Sequence, residues 1–360
     1  MDRLDTRDTG GSDRREMIAE LPWLEGASLF ASGSAALVHL VRWGVRRHGW
    51  QRVWLPSYYC PDVSAALVAA IGREVELRAY PDASLWTATD QGMVPAAAGD
   101  LVVVANQLGV RPRPDMARLA GRAVIVEDHS HDLGSAWALE SRADYAFASL
   151  RKTLPIADGG AVWSPQGREL PPEPAREDQA NGHGDPARRP ADRLAAALDR
   201  RGRITAAIDD KLRFRALART AAGPAGAVSR GAISPVSRAL LRHMPVQAWR
   251  ERRRRNLDVL ADAVASVAGT RILRAPAGGV AFALTLVFDV ARARQDAQRA
   301  LVSRAVIPTV LWPLDPDRDW GAGPAEADLS SRILSIHGDQ RYDDTDMRRL
   351  AEILRETLGG

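Results

Sequence analysis

The stretch Ala143-Asp-Tyr-Ala-Phe-Ala-Ser149-Leu-Arg-Lys152-Thr-Leu-Pro-Ile-Ala-Asp158-Gly-Gly-Ala-Val-Trp163 decides how the rest of the chain is read. Its short, mostly apolar run from Tyr145 to Leu150 delivers Arg151 and Lys152 to a turn, after which Asp158-Gly159-Gly160 opens a second apolar run. Taken alone, this is a surface turn with two cations. It is also where a Schiff-base lysine belongs, because an amine attacks a carbonyl only when a partly desolvated or cationic setting lowers its proton affinity. The neighbouring segments choose between the two readings.

Upstream, 100–106 and 123–128 are continuous apolar runs, as parallel strands covered on both faces require. The second ends abruptly in Asp128-His129-Ser130-His131. Ligands of an open parallel sheet sit beyond the carboxyl ends of its strands, so Asp128 and His131 stand where function is expected. Residues 52–56 read as a strand running into Ser57-Tyr58-Tyr59-Cys60-Pro61, followed by a helix over 62–70 and a further strand over 74–79. Tyr58 and Tyr59 offer a face to a planar ligand, or they belong to the core. Earlier still, Ser32-Gly33-Ser34-Ala35 leads into helical spacing at Leu37, Leu40, Val41 and Val45. The free N–H groups and dipole of a helix start suit a phosphate, although the same residues are ordinary caps.

Downstream, 164–192 is rich in Pro, Gly, Arg and Asp and reads as a mobile loop. Helical patterns return over 194–217, a Gly/Ala/Pro-rich break covers 221–235, and 246–267 reads as a long basic helix with Arg252 to Arg255 on a solvated face. Residues 280–289, 291–304, 306–311, 332–336 and 345–358 read strand, helix, strand, strand, helix. The expected organisation is a flexible leader over 1–16, a large domain over 17–220, and connecting helices with a small domain over 221–360. The fold class is α/β: a mainly parallel central sheet with helices on both faces, plus a smaller C-terminal α+β domain.

At 360 residues with a net charge of +4, the chain has room for a large core and no nucleic-acid footprint. The single Cys60 excludes an intrachain disulfide framework and any multi-cysteine metal site, so no metal is expected. Residues 1–15 lack the apolar core of a signal, and no apolar run of about twenty residues appears, so a cytoplasmic protein without a membrane segment is expected. No strand runs into a Gly-x-Gly-x-x-Gly turn, which argues against a nicotinamide enzyme.

The order of these segments resembles the PLP-dependent aminotransferases of fold type I, and specifically the nucleotide-sugar (DegT/StrS-like) family. Ser32-Gly-Ser-Ala-Ala-Leu37, Val126-Glu-Asp-His-Ser-His131 and Lys152 through Gly159-Gly160 carry most of the likeness. The resemblance implies a PLP-transferase fold and an active site at the interface of a homodimer. Lys152 would hold pyridoxal 5'-phosphate as an internal aldimine and then serve as general base and acid. Asp128 would pair with the pyridine nitrogen, and His131 would lie near the ring. The backbone of Gly33, Ser34 and Ala35 and the hydroxyl of Ser149 would hold the phosphate. Tyr58 or Tyr59 would stack on the ring, and Arg341 would bind a carboxylate of the amino donor. The implied reaction moves an amino group from a donor such as glutamate to a keto group of a nucleotide-linked sugar or related polar metabolite. Two features depart from the pattern: Lys152 follows Ser149 after a shorter step, and Cys60 stands where the ring-stacking aromatic is expected. PLP chemistry of another type, namely lyase, dehydratase or oxidative, and a non-catalytic PLP-fold regulator stay open as alternatives.

Overall fold

The continuous apolar runs become the centre of a seven-stranded sheet in the computed structural model, which describes residues 20–82, 84–90, 92, 94–175 and 231–359. The leader over 1–16, the helical patterns over 194–217 and most of the loop expected over 164–192 lie outside the described residues. Strands β1 (Ser28–Phe30), β2 (Arg52–Pro56), β3 (Glu76–Tyr80), β4 (Asp100–Ala105), β5 (Val124–Asp128), β6 (Tyr145–Ser149) and β7 (Gly160–Trp163) stand in the order β1-β7-β6-β5-β4-β2-β3. β3, β2, β4, β5 and β6 pair in parallel, whereas β7 and β1 join antiparallel. Every residue of β4 and β6 is buried, which is why their sequences run apolar without alternation.

Alternate residues sort to the two faces. Leu101, Val103, Val126, Tyr145 and Phe147 pack under helices α1 (Gly33–His48) and α2 (Pro61–Ile71). Val102, Val104 and Ile125 face the short helix α3 (Ala136–Leu139), through Trp137. Leu37, Leu40, Leu55 and Leu101 are fully enclosed, and each such burial stabilises by ~1.5–3 kcal/mol. Continuing this parity along β5 and β6 puts Asp128 and Ser149 on the α1 face and Glu127 on the other.

Helix α1 begins where its sequence says it should: the Ser32 side chain accepts from the Ala35 N–H, and Gly49 ends the helix in the left-handed region. Two glycines bring this start against the sheet. A Cβ on Gly33 would stand 2.7 Å from the Ser149 Cβ, and one on Gly160 would stand 2.1 Å from the Ser32 carbonyl oxygen. Only glycine permits both approaches.

Residues 164–175 are pinned to the sheet's end. Ser28 donates to the Pro171 carbonyl at 2.7 Å, and Glu173 accepts from the Leu29 N–H at 2.8 Å. Helix α4 (Pro235–Leu241) starts on Ser234, whose N–H and hydroxyl both donate to Asp158, at 2.8 and 2.7 Å.

The C-terminal unit is an antiparallel sheet of β8 (Thr270–Leu273), β9 (Leu284–Phe288) and β10 (Ile333–Ile336), ordered β10-β9-β8. Its helices are α5 (Val246–Ala263), α6 (Ala291–Ser303), α7 (Pro324–Arg332) and α8 (Asp344–Leu358). Three expectations need correction. Residues 306–311 form no strand, only a bridge between Thr309 and Ser335, because Pro308 has no N–H to give a ladder. The structure adds β8 and α7, which the sequence reading lacked. On α5, Arg254 and Arg255 are solvated and pair with Glu251, but Arg253 is buried rather than on the solvated face.

Candidate active site

The carboxyl ends of the parallel strands converge on one edge. β2 leads to Tyr58 and Tyr59, β4 to Asn106, β5 to Asp128 and β6 to Ser149. The chain bends into a 3-10 turn over Leu150–Lys152 immediately after β6, which brings Lys152 to the same edge.

The Lys152 Nζ lies 3.2 Å from His131 Nε2. No carboxylate among the described residues pairs with it; its other neighbour is the face of Trp312, 5.6 Å from the ring centre. His131 is buried, and its Nδ1 accepts from the Leu108 N–H at 3.2 Å. Burial first, and then the charge of Lys152, hold this imidazole well below its ordinary range, so it is neutral. Phe282 and Trp312 flank it at 4.9 and 5.7 Å.

Asp128 is buried and twice hydrogen-bonded: Oδ1 accepts from the Ser130 N–H at 2.9 Å, and Oδ2 accepts from the Tyr59 hydroxyl at 2.7 Å. Beside it, the Asn106 N–H donates to the Asp128 carbonyl, while the buried Asn106 Oδ1 has no protein partner. Burial raises Tyr59 well above the usual tyrosine range, and the charge of Asp128 pushes the same way. Tyr58 is equally enclosed, and its hydroxyl donates to the Leu311 carbonyl at 2.7 Å. Burial also pushes up the Cys60 thiol, against the pull of Lys152, which places Cys60 within reach of the lysine's field.

The helix start expected to take a phosphate stands against the end of β6. Ala35 N–H is spent on the Ser32 hydroxyl, and Gly33 touches Ser149. Arg341 is differently engaged: its guanidinium clamps Asp339, with Nε donating to Oδ1 at 2.8 Å. Burial raises Asp339, and Arg341 overcomes it, holding the carboxyl at about 2.

The structure thus brings Lys152, His131, Asp128, Tyr59 and Ser149 to one edge and ties Arg341 to a carboxylate of its own. Sequence reasoning missed Trp312, Phe282 and Asn106. Trp312 and Phe282 arrive from the C-terminal unit, and nothing local in their sequences marks them. Lys152 did carry an overlooked signal: of the 49 lysine and arginine residues, only Lys152 and Lys211 are lysines. A chain that uses arginine nearly everywhere keeps an amine where a guanidinium, always charged, cannot act as a nucleophile.

No family model matches the chain, and no curated protein matches it by sequence. Solved structures do match. One is TlmJ, an aminotransferase from Streptoalloteichus hindustanus, at TM-score 0.60 and 18% identity, covering 97% of this chain and 90% of that one. Another is the sugar aminotransferase CalS13 from Micromonospora echinospora, at TM-score 0.61 and 14% identity, covering 98% and 93%. A third, NtdA from Bacillus subtilis with bound cofactor PMP, matches at TM-score 0.61 and 14% identity, covering 97% and 82%. At such identities the likeness is one of fold, and over its described residues the chain has the type I PLP-transferase fold.

Proposed function

We propose that this chain is a PLP-dependent aminotransferase of the nucleotide-sugar (DegT/StrS-like) kind. It moves an amino group from an amino-acid donor such as glutamate to a keto group of a nucleotide-linked sugar or related polar metabolite. The observation that carries the reading is Lys152: a partly buried amine with no carboxylate partner among the described residues, 3.2 Å from a neutral imidazole at the carboxyl edge of a PLP-transferase sheet.

The residues present fit the cofactor. Asp128 uses one acceptor site on each oxygen, which leaves room for a cationic ring nitrogen. The buried Asn106 Oδ1 lacks a donor. The start of α1 adjoins Ser149 closely enough for both to hold one phosphate. PLP, when bound, supplies the sink for the electron pair released as the donor's Cα–H bond breaks.

The protein's own tasks follow. Lys152 would hold the cofactor through Nζ, and its amine would serve as the base and acid for the donor's Cα proton. His131 would orient that amine: its Nδ1 is fixed by the Leu108 N–H, and its Nε2 stands 3.2 Å from Nζ. Asp128 would offer its charge to the ring nitrogen, and the Gly33 and Ser34 backbone with the Ser149 hydroxyl would hold the phosphate, the Ala35 N–H expected there being spent on Ser32. Trp312 covers the lysine and Phe282 covers His131, both from the C-terminal unit. Residues 17–220 form the cofactor-binding domain in this reading, 221–360 the connecting helices and smaller domain, and the working unit is a homodimer.

The test is spectroscopic. Purified protein given PLP should show a visible absorption band that borohydride fixes onto Lys152, and glutamate should discharge it to the amine form of the cofactor. Colourless protein in excess PLP would sink the proposal. A band that no amino acid discharges would point to another PLP reaction. A panel of keto-sugar nucleotides then tests the acceptor.

A further inference from the structure

The Asp128 carboxylate is held by a partner the resemblance does not supply. Tyr59 comes from the segment after β2, two strands away from β5 in the sheet, yet its hydroxyl stands 2.7 Å from Asp128 Oδ2 with both groups buried. A buried carboxylate is costly unless donors satisfy it, and Asp128 has two: this phenol and the Ser130 N–H. The direction of the proton is settled by the surroundings. The titratable groups acting on Tyr59 are Asp128, Cys60 and Tyr80, and all of them, after burial itself, oppose its ionisation. Tyr59 therefore remains a donor.

We propose that Tyr59 is a positioning residue: its hydrogen bond fixes the Asp128 carboxylate, which would then pair with a protonated ring nitrogen of the cofactor. This inference rests on the PLP reading and deepens it. The physical chain is short. A hydrogen bond donated to a carboxylate stabilises its charged form. A less basic carboxylate leaves the shared proton with the pyridine, and a protonated pyridine is the stronger electron sink. Tyr59 touches neither the lysine nor, in this role, the ring; it acts through Asp128. The next residue, Cys60, stands where the resemblance expects the stacking aromatic.

The experiment is ¹⁵N NMR of holoprotein reconstituted with PLP labelled at the pyridine nitrogen. In wild type the resonance should lie in the protonated range. In Tyr59→Phe it should shift toward unprotonated pyridine, while borohydride still fixes the cofactor on Lys152. In an Asp128→Asn background the Tyr59→Phe shift should vanish, because the two changes act through one bond. Should Tyr59→Phe fail to fold, site-specific difluorotyrosine at position 59 keeps the hydroxyl and donates more strongly, so the resonance should move the opposite way. An unchanged resonance in folded Tyr59→Phe, with wild type protonated, overturns this inference alone. Lowered thermal stability without a ¹⁵N shift would mark a merely structural bond and overturn it too. Failure of wild type to retain PLP overturns the functional reading first, and is seen before any resonance is recorded.

Discussion

Two cations in this molecule, one fully enclosed and one partly buried, are treated in opposite ways. Arg111 is fully enclosed and every side of it is used: Nη1 donates to Asp82 Oδ2 at 2.5 Å, Nη2 to Asp82 Oδ1 at 2.6 Å, and Nε to the Thr87 carbonyl at 3.1 Å, with the Ser84 carbonyl taking another bond. Lys152 has an imidazole nitrogen and a tryptophan face. A bidentate guanidinium–carboxylate pair with four of its five N–H groups engaged holds a loop in place. An amine left short of partners is available to an incoming carbonyl. Completeness of hydrogen bonding separates scaffold from chemistry here more cleanly than burial does.

That contrast can be broken by experiment. The largest effect belongs to Lys152→Ala, which should lower transamination by about 10³-fold or more and abolish the visible band, while stability stays within ~1 kcal/mol of wild type. A large loss of stability would mean that Lys152 is part of the scaffold. Arg111→Met should do the reverse, costing about 3–5 kcal/mol in urea unfolding because Asp82 is left buried and unpaired. Any protein that remains folded should retain its PLP band. Tyr58→Phe probes a single bond, from the phenol to the Leu311 carbonyl, and should cost about 1 kcal/mol by the same measurement. The smallest effect is on pH dependence. His131 sits well below its ordinary 6.5, so the unfolded chain binds the proton first as pH falls. Its contribution is present above about 6.5 and lost below it, and His131→Asn should flatten the decline of stability on the acid side. A slope unchanged by that substitution would place the acid sensitivity elsewhere.

Much of the scaffold was legible because its signals are local. The apolar runs of β4, β5 and β6 and the Ser32 cap of α1 need no tertiary knowledge. The misreadings came where local and global signals part. Residues 306–311 are apolar because Val306 and Val310 pack against one core and Leu311 and Trp312 against another, not because they pair in a sheet. Helix α7 is mostly polar and buries Glu326, Leu329 and Ser330, too few apolar residues to set a period. The arrival of Lys152, Asp128 and His131 at one strand edge was readable from their neighbours. The Tyr59–Asp128 bond and the approach of Trp312 and Phe282 were not, since each joins segments far apart in the chain.

The turn that carries Lys152 has one more property. β6 and β7 are antiparallel neighbours, with Ser149 opposite Gly160, and the Leu150 N–H donates to the Gly159 carbonyl at 3.0 Å. Residues 150–159 are therefore a closed hairpin loop whose base is stitched shut by that bond. Doubling such a loop costs only ~0.6 kcal/mol of closure entropy. The short step from Ser149 to Lys152 is then a matter of tether length: Lys152 is the third residue out from the stitched base, while Leu154 and Ile156 further round anchor the loop in the core.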